Sequence, residues 1–257
     1  MAREENNLSN EGVSIIIPCL NEERYIGTVL SCITQQSFQN FEVIVVDGFS
    51  RDHTKQAVEN TTAAHPELAN KLRFVLAPNK GVAAQRNYGV SVARFERIVF
   101  FDADVQMSAA YLAHTLKEVS KHNLDLATTT FAPASKRLDD KIVYAICNLY
   151  LYIKQFVRPS AIGFCIFSTK TAHQAVQGFN EALNLGEDMD YVDRASKEGF
   201  SFKILKSNDF YASVRRLDKE GRFNYYKKGM KAEILTYLKD QKSVSDSIEY
   251  RFGHYDE

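Results

Sequence analysis

Short apolar runs alternate with segments of helical spacing over the first hundred residues of this chain. Two of the runs, VSIIIP at 13–18 and FEVIVV at 41–46, are rich in β-branched residues, which is typical of strands buried on both faces. LRFVL at 72–76 and RIVFF at 97–101 predict two further strands. Helices are predicted between them, over 21–36, 52–64 and 81–93. This alternation predicts an α/β, Rossmann-like fold with a mixed, mostly parallel sheet flanked by helices.

The second half of the chain is less regular, and its topology does not follow from the pattern. Helices are predicted near 109–122, 188–198 and 223–238, and strands near 125–130 and 201–205. We predict three parts: a polar leader over 1–12, one α/β domain over 13–215, and a helical extension over 216–257. With 45% apolar residues, the chain can fill the core of such a domain.

Charge and cysteine content exclude several classes of protein. Thirty-two basic residues balance 32 acidic ones, so no global positive field favours nucleic acid, and we expect no nucleic-acid partner. The four cysteines form no C-x-x-C pair, and we interpret them as reduced core residues rather than as zinc ligands or a disulfide framework: Cys19, Cys32, Cys147 and Cys165.

No segment has the pattern of a signal peptide or a membrane span. The first twelve residues are polar, and the longest apolar stretch, 142–157, is interrupted by Asn148, Lys154 and Gln155. That stretch falls short of the ~20 residues that a transmembrane helix needs. We therefore expect a cytoplasmic protein.

Polar residues follow directly after three of the predicted strands: Asn21, Asp47 and Asp102. Ligands of open α/β sheets bind beyond the carboxyl ends of the strands, so we expect these residues on one rim. Asp102 and Asp104 form a D-x-D pattern whose hard oxygen donors can bind Mg²⁺ or Mn²⁺, and such a metal bridges diphosphate oxygens. Taken alone, D-x-D also fits an acidic turn after a strand.

Five motifs in a fixed order add to this pattern: IIPCLNEE at 16–23, VVDGFSRD at 45–52, NKGVAAQRNYG at 79–89, FFDAD at 100–104, and GFN at 178–180 with GEDMDYVDRASKEG at 186–199. Together they resemble the family 2 glycosyltransferases of the GT-A fold, from about Val13 to Gly221. The resemblance implies a metal-dependent, inverting enzyme that moves a sugar from a nucleoside diphosphate to an acceptor. It also implies a nucleotide-binding half over about 13–105 and an acceptor and catalytic half over about 106–215.

The resemblance further implies that Pro18, Asn21 and Glu22 line the nucleotide pocket and that Asp47 meets the base. A carboxylate at that place can accept the imide N–H of uracil, which favours a UDP-sugar. The alternative for Asp47 is an Asp-Gly turn. The chain has Gly48-Phe49 where many members have Asp-Gly, a departure that affects the second acidic contact to the base.

Basic residues are implied near the diphosphate. In the family, a loop and a helix start lie below it, here Lys80, Gly81, Arg86 and Asn87, and Asp102 and Ala103 also contact the nucleotide. Arg86 pairs with a phosphate or with a metal-ligand carboxylate, unless it lies on a solvated helix face. Arg215 and Arg216 resemble a phosphate-binding pair of some members, with an exposed basic loop as the alternative.

The family's acidic pair corresponds to Glu187-Asp188, and Asp188 is our candidate general base. An inverting transfer needs a carboxylate that takes the proton of the acceptor hydroxyl as its oxygen attacks the anomeric carbon. Glu187 is the alternative base or a group that holds the acceptor. Acidic residues at a helix start also favour the positive end of the helix dipole, and both roles can hold at once.

Two rival functions stay open at this point. A sugar-phosphate nucleotidyltransferase combines a similar sheet with metal-bound diphosphate, although its usual Gly-rich basic loop is replaced here by PCLNEER at 18–24. A non-catalytic nucleotide-binding protein would keep the fold without turnover. The carboxylates of the D-x-D and Glu-Asp motifs argue against it.

The acceptor is expected to be a glycan or a lipid-linked molecule. The segments 142–157 and 223–239 combine aromatic, apolar and basic residues. Such a stripe fits core packing, a homodimer interface or peripheral contact with the inner face of the cell membrane.

Overall fold

The computed structural model describes residues 12–207 and 209–238. Apart from Gly12, the predicted leader lies outside the described residues, as does the predicted extension from residue 239 onward.

The first four predicted strands form the parallel part of the main sheet. They are β1 (Val13–Cys19), β2 (Phe41–Asp47), β3 (Leu72–Leu76) and β4 (Arg97–Phe101). Strand β1 lies between β2 and β4, and β3 pairs with the far side of β2, all in parallel. Every residue of β1 and β2 is buried, as the continuous apolar runs predict.

The intervening helices are α1 (Ile26–Thr34), α2 (Thr54–Ala64) and α3 (Val82–Val92), with a 3₁₀ turn at Pro66–Leu68. Helix α1 begins five residues later than predicted. Asn21 has a φ of +56°, which a right-handed helix does not accommodate. The backbone N–H groups of Glu22 and Glu23 donate to the side chains of Thr54, the first residue of α2, and Asp52, just before it. The predicted helical start is therefore a loop.

The second half supplies the remaining elements: β5 (Gln106–Met107), α4 (Tyr111–Lys121), β6 (Leu126–Thr129), β7 (Ala132–Pro133), α5 (Leu138–Lys154), β8 (Cys165–Thr169), α6 (Lys170–Ala175), α7 (Glu187–Lys197), β9 (Phe202–Leu205), β10 (Phe210–Ala212), α8 (Arg215–Glu220) and α9 (Arg222–Leu238). The helices and strands predicted there are present within one or two residues. Strand β8, which the sequence analysis missed, is central to the fold.

Within the described residues, the main sheet has the order β3-β2-β1-β4-β8-β6-β9. Strand β8 runs antiparallel to both β4 and β6, and β6 pairs in parallel with β9, so the sheet is mixed and mostly parallel as predicted. A smaller sheet, β5-β10-β7, follows the D-x-D segment and leads into α8.

Two apolar clusters cover the two faces of the main sheet. Alternate residues of β1 point into different clusters: Ile15 and Ile17 into one, Ile16 into the other. All four cysteines are free, as predicted. Cys19 and Cys165 are buried, whereas Cys32 and Cys147 are half-buried against the first cluster.

Helix α5 contains most of the aromatic segment 142–157. One face packs against the domain, where Leu151 is buried and Tyr144 and Cys147 adjoin the first cluster. The opposite face and the residues after it expose large apolar side chains, each more than two fifths accessible: Leu138, Ile142, Ile146, Leu149, Tyr150, Ile153, Phe156 and Val157. This stripe is not core. Among the described helices, none has the length and apolar content to cross a bilayer.

Candidate active site

The loops that follow β1 and β2 are bound to each other at the carboxyl rim of the sheet. Asn21 N–H donates to Ser50 Oγ over 2.9 Å, and Asn21 Oδ1 accepts from Arg51 N–H over 2.9 Å. Glu22 N–H donates to Thr54 Oγ1 over 2.8 Å. The predicted polar rim is therefore a pair of cross-linked loops, and the positive φ of Asn21 is part of it.

Asp47 closes a tight turn at the end of β2. Its Oδ2 accepts from the N–H groups of Phe49 and Ser50, each over 3.1 Å, while Gly48 N–H donates to Cys19 O over 2.8 Å. Burial, followed by the charge of Asp47, raises the pKa of the Cys19 thiol, which stays protonated. The turn interpretation of Asp47 is confirmed, and its contact with a base stays a prediction.

Gln85 explains why a glycine follows Asp47. This fully buried side chain of α3 donates from Nε2 to Cys19 O and to Val46 O, both over 2.7 Å. A Cβ at Gly48 would lie 3.0 Å from the Gln85 amide, so an aspartate there would displace it. Gly48 therefore leaves room for the Gln85 amide, which donates to carbonyl groups at the ends of β1 and β2. Sequence reasoning missed Gln85.

Arg86 is at the centre of the site, with 2% of its side chain exposed. Its Nη1 donates to Glu187 Oε1 over 2.8 Å, and its Nη2 donates to Asp102 Oδ1 over 3.1 Å and to Gly163 O over 3.0 Å. Burial alone lowers its pKa, but Glu187 and Asp102 raise it, so the group is a permanent cation. Arg86 therefore pairs with carboxylates instead of lying on a solvated helix face, and its contact with a phosphate stays a prediction.

Gly163, just before β8, permits this close approach. A Cβ at this position would lie 2.8 Å from Arg86 Nη2 and 3.1 Å from Asp188 Oδ2. Because β8 was not predicted, neither was the contribution of Gly163. The glycine brings the starts of β8 and α7 and the centre of α3 together around one guanidinium group.

Glu187 and Asp188 begin α7 after Gly186, which has a φ of +79°. Asp188 is half-buried, and its Oδ1 accepts from Met189 N–H over 2.8 Å. Burial, with the charge of Glu187 as the next cause, raises the pKa of Asp188 to about 7. A carboxyl group with that pKa can take a proton near neutral pH, as a general base must. The acidic first turn also agrees with the helix-dipole interpretation.

Arg215, at the start of α8, joins the loop after β1 to the D-x-D segment. It donates to both carboxylate oxygens of Glu22, over 2.7 and 2.5 Å, and its Nε lies 2.8 Å from Asp104 Oδ2. The guanidinium group also stacks 4.6 Å above the Tyr25 ring. The exposed-loop alternative is therefore wrong for Arg215, and Arg216 is half-buried beside it.

Burial raises the pKa of Glu22 to about 7 despite the opposing effect of Arg215, and burial likewise raises the pKa of Asp104. The site as a whole gathers more carboxylates than arginines: Glu22, Asp102, Asp104, Glu187 and Asp188 face Arg86, Arg215 and Arg216. A divalent cation bound at this place would favour the ionised form of the carboxyl groups whose pKa burial raises.

The D-x-D carboxylates fit a metal that a diphosphate helps to hold. Within the described chain, no group of three or more His, Cys, Asp or Glu side chains is arranged as a complete metal site. Mg²⁺ and Mn²⁺ sites of this kind need only one or two carboxylates with substrate phosphates. Arg86 donates to Asp102 Oδ1, and Arg215 Nε lies 2.8 Å from Asp104 Oδ2, so the two carboxylates that would hold the metal each adjoin an arginine.

The other predicted nucleotide residues are dispersed around this centre. Gly81 begins α3 with a φ of +109°, and the space at its Cβ position is open to 4 Å, while Lys80 is exposed next to it. Pro18 and Ala103 are buried, the first within β1 and the second in an apolar cluster. Their contacts with a nucleotide stay predictions. Asn87 has a structural role, since its amide bonds with the backbone of Phe179.

Residues 14–176 match the family described as Glycosyl transferase family 2. The chain belongs to this family. Among curated relatives, it is 28% identical over 212 residues to the amylovoran biosynthesis glycosyltransferase AmsB of Erwinia amylovora, covering 75% of this chain and 66% of that protein. It is 23% identical over 225 residues to the poly(ribitol-phosphate) beta-N-acetylglucosaminyltransferase TarS of Staphylococcus aureus, covering 79% of this chain and 35% of the relative. The matched part of the chain spans 66% of the length of AmsB and 35% of the length of TarS, which is less than two thirds in both cases.

Solved structures agree on the fold. The chain superposes on S. aureus TarS 1–349 in complex with UDP with a TM-score of 0.60 and 21% identity, covering 79% of this chain and 60% of that one. It superposes on the mannosyltransferase PcManGT of Pyrobaculum calidifontis, in complex with GDP-Man and Mn²⁺, with a TM-score of 0.67 and 19% identity, covering 98% and 68%. The predicted GT-A fold is confirmed.

Proposed function

We propose that this protein is a glycosyltransferase that moves a sugar from a nucleoside diphosphate sugar to a glycan or lipid-linked acceptor in polysaccharide or teichoic-acid assembly. The observation that carries the proposal is the cluster around Arg86, which gathers Asp102, Glu187 and Asp188 at the carboxyl rim of the sheet. The names of the two relatives, which refer to amylovoran and poly(ribitol-phosphate), support this class of product.

The proposed chemistry is an inverting displacement with Asp188 as the base. The acceptor oxygen forms a bond to the anomeric carbon, the bond from that carbon to the diphosphate breaks, and its electron pair leaves with the diphosphate. Asp188 takes the acceptor's hydroxyl proton. A divalent metal held by Asp102 and Asp104 would supply positive charge to the leaving diphosphate. Arg86 orients Asp102 and Glu187 through their hydrogen bonds, and a UDP-sugar is the favoured donor because of Asp47.

A binding screen tests the donor assignment. UDP, GDP, CDP and dTDP are titrated calorimetrically with and without Mn²⁺, on the wild type and on Asp102→Ala/Asp104→Ala. We expect metal-dependent binding of one nucleotide, UDP first, that the double variant loses. Equal binding by the double variant would remove the two aspartates as metal ligands, and no binding of any nucleotide by the wild type would contradict the proposal.

The alternatives predict different products. A sugar-phosphate nucleotidyltransferase would release pyrophosphate from a nucleoside triphosphate and a sugar phosphate, and the family match does not favour it. A non-catalytic protein would bind a nucleotide but hydrolyse or transfer nothing. Release of a nucleoside diphosphate from a nucleotide sugar, measured with and without acceptor extracts, separates both from the proposed transferase.

We further propose that the exposed stripe on α5 lies on the inner face of the cell membrane, close to a lipid-linked acceptor. The exposed apolar side chains of the stripe recur at helical spacing along one face of α5, and monomeric proteins rarely expose large apolar patches. Exposed Lys141 adjoins it on the same helix, and Lys206 lies over the Tyr152 ring at 5.8 Å, so basic and tyrosine side chains border it. That arrangement suits an anionic lipid surface.

Vesicle sedimentation tests this placement. We expect the wild type to bind phosphatidylcholine vesicles that contain phosphatidylglycerol and to bind pure phosphatidylcholine weakly. Ile146→Ser/Leu149→Ser/Ile153→Ser should lose most of the binding, whereas Leu76→Ser, a matched exposed leucine on β3, should keep it. A concentration-dependent dimer that the triple variant abolishes, without vesicle binding, would instead identify the stripe as a homodimer interface.

A further inference from the structure

Phe49 has an unusual backbone conformation. Its φ is +72°, in the left-handed region that favours glycine and is costly for a bulky side chain. Phe49 is 39% exposed as a residue, and among the described residues it belongs to neither apolar cluster. An aromatic residue therefore occupies a strained position without contributing to the core. Residues held in such conformations concentrate at ligand sites.

The turn that carries Phe49 is rigid. Asp47 Oδ2 accepts hydrogen bonds from the backbone N–H groups of Phe49 and Ser50. Ser50 Oγ in turn accepts from Asn21 N–H. Gln85 supports the turn from below, within 3.0 Å of the Cβ position of Gly48. The ring is thus presented from a fixed backbone at the rim where the nucleotide is proposed to bind.

We propose that the Phe49 ring is a stacking platform for the nucleobase of the donor. An exposed aromatic face attached to a preordered turn can stack on a base without ordering cost to the backbone, and stacking is effective for every base because each has a π face. Many members of the family have Asp-Gly where this chain has Gly48-Phe49, and a glycine at the position of Phe49 offers no side chain for stacking. This inference rests on the proposed function, since it names a further residue of the same donor site.

Three variants separate stacking from backbone effects. Phe49→Gly removes the ring and relieves the strain of the positive φ. Phe49→Leu keeps the strain and a bulky side chain but has no aromatic face. Phe49→Tyr keeps the strain and the aromatic face. We expect Phe49→Gly and Phe49→Leu to weaken UDP binding about tenfold, with Phe49→Tyr close to the wild type. Phe49→Gly should also raise the melting temperature or leave it unchanged, because its strain is gone.

Calorimetric titration in Mn²⁺ measures the effect, with inorganic pyrophosphate as the ligand that lacks a base. Pyrophosphate affinity should be the same in all four proteins, which excludes a general disturbance of the site. The stacking proposal would be wrong if Phe49→Leu bound UDP as tightly as the wild type does. It would also be wrong if Phe49→Gly lost pyrophosphate binding to the same extent as UDP binding. A wild type that binds pyrophosphate but no nucleoside diphosphate would overturn the proposed function as well.

Discussion

Asp188 is the side chain whose ionisation we expect to control the pH dependence of transfer. Burial and Glu187 raise its pKa to about 7, and a general base acts only when deprotonated. The rate at limiting donor should therefore rise as pH increases through about 7 and level off above it. Initial rates of nucleoside diphosphate release between pH 5 and 9 measure this, with donor affinity followed in parallel.

Substitution of the same residue gives the matching control. Asp188→Asn should abolish transfer while it largely preserves donor binding, and Asp190→Asn, one turn into α7 and paired with Arg194, should retain the wild-type pH profile. Unimpaired turnover in Asp188→Asn would remove this residue as the base and would make Glu187 the next candidate.

Gly163 allows a second prediction at the scale of one residue. A methyl group there would meet Arg86 Nη2 at 2.8 Å, which forces the guanidinium group away from Asp102 or Glu187. We expect Gly163→Ala to lower kcat by about tenfold or more, since small displacements of positioning groups are costly in catalysis. The melting temperature and far-UV circular dichroism serve as the folding control, and unchanged kcat in a folded variant would contradict the assigned role of Arg86.

The chemistry-bearing side chains were the most predictable part of the site. Asp102, Asp104, Glu187 and Asp188 belong to local motifs, and the resemblance of these motifs to the family, rather than their spacing alone, singles them out as candidates. Gln85 and Gly163 were missed because their roles depend on distant partners, the ends of β1 and β2 in one case and Arg86 in the other. The left-handed conformation of Phe49 leaves no mark in its own residue type.

At the scale of elements, the parallel half of the sheet follows from the sequence and β8 does not. The first four strands are mostly apolar, whereas β8 reads CIFST and ends in two hydroxyl side chains. Those groups are tolerated because Ser168 binds the Tyr191 hydroxyl over 2.7 Å and Thr169 caps α6 by accepting from Ala172 N–H. Such partners come from other elements, so periodicity alone does not detect the strand.

Helix α8 gives a prediction at this scale, because Arg215 fixes its start to the loop after β1. Arg215→Ala leaves the buried carboxyl of Glu22 without its bidentate partner, and we expect a stability loss of about 2–3 kcal/mol. Glu22→Gln/Arg215→Ala should recover part of that loss, since the amide needs no counter-charge. Urea unfolding of the two variants and the wild type measures the difference, and equal stabilities of wild type and Arg215→Ala would contradict the coupling.

At the scale of the whole molecule, Glu42 links strands at the amino end of the parallel sheet, which is the end opposite the candidate site. Its buried carboxylate accepts from Ser14 Oγ over 2.6 Å and from Arg73 Nη2 over 2.8 Å, and Arg94 binds it through both Nε and the backbone N–H. Burial alone raises the pKa of Glu42, but these hydrogen bonds and charges outweigh it and lower the pKa below its usual range. One carboxylate therefore joins β1, β2, β3 and the segment after α3.

The sign of this pKa shift determines how acid affects folding. Because the folded-state pKa is depressed, the stabilisation by Glu42 is present above its ordinary pKa and is lost as pH falls through the lowered value. We expect Glu42→Gln to lower the free energy of unfolding by about 1–3 kcal/mol at pH 7 and to flatten the stability profile below pH 5, because the variant has no carboxylate to protonate. Urea unfolding at several pH values measures both effects.

The matched control is Glu118→Gln, which changes an exposed glutamate paired with Lys121 on α4 and should follow the wild type. If the free energy of unfolding fell in parallel with pH in Glu42→Gln and in the wild type, other carboxylates would account for the acid sensitivity. The lowered pKa of Glu42 would then not contribute to the stability of the sheet.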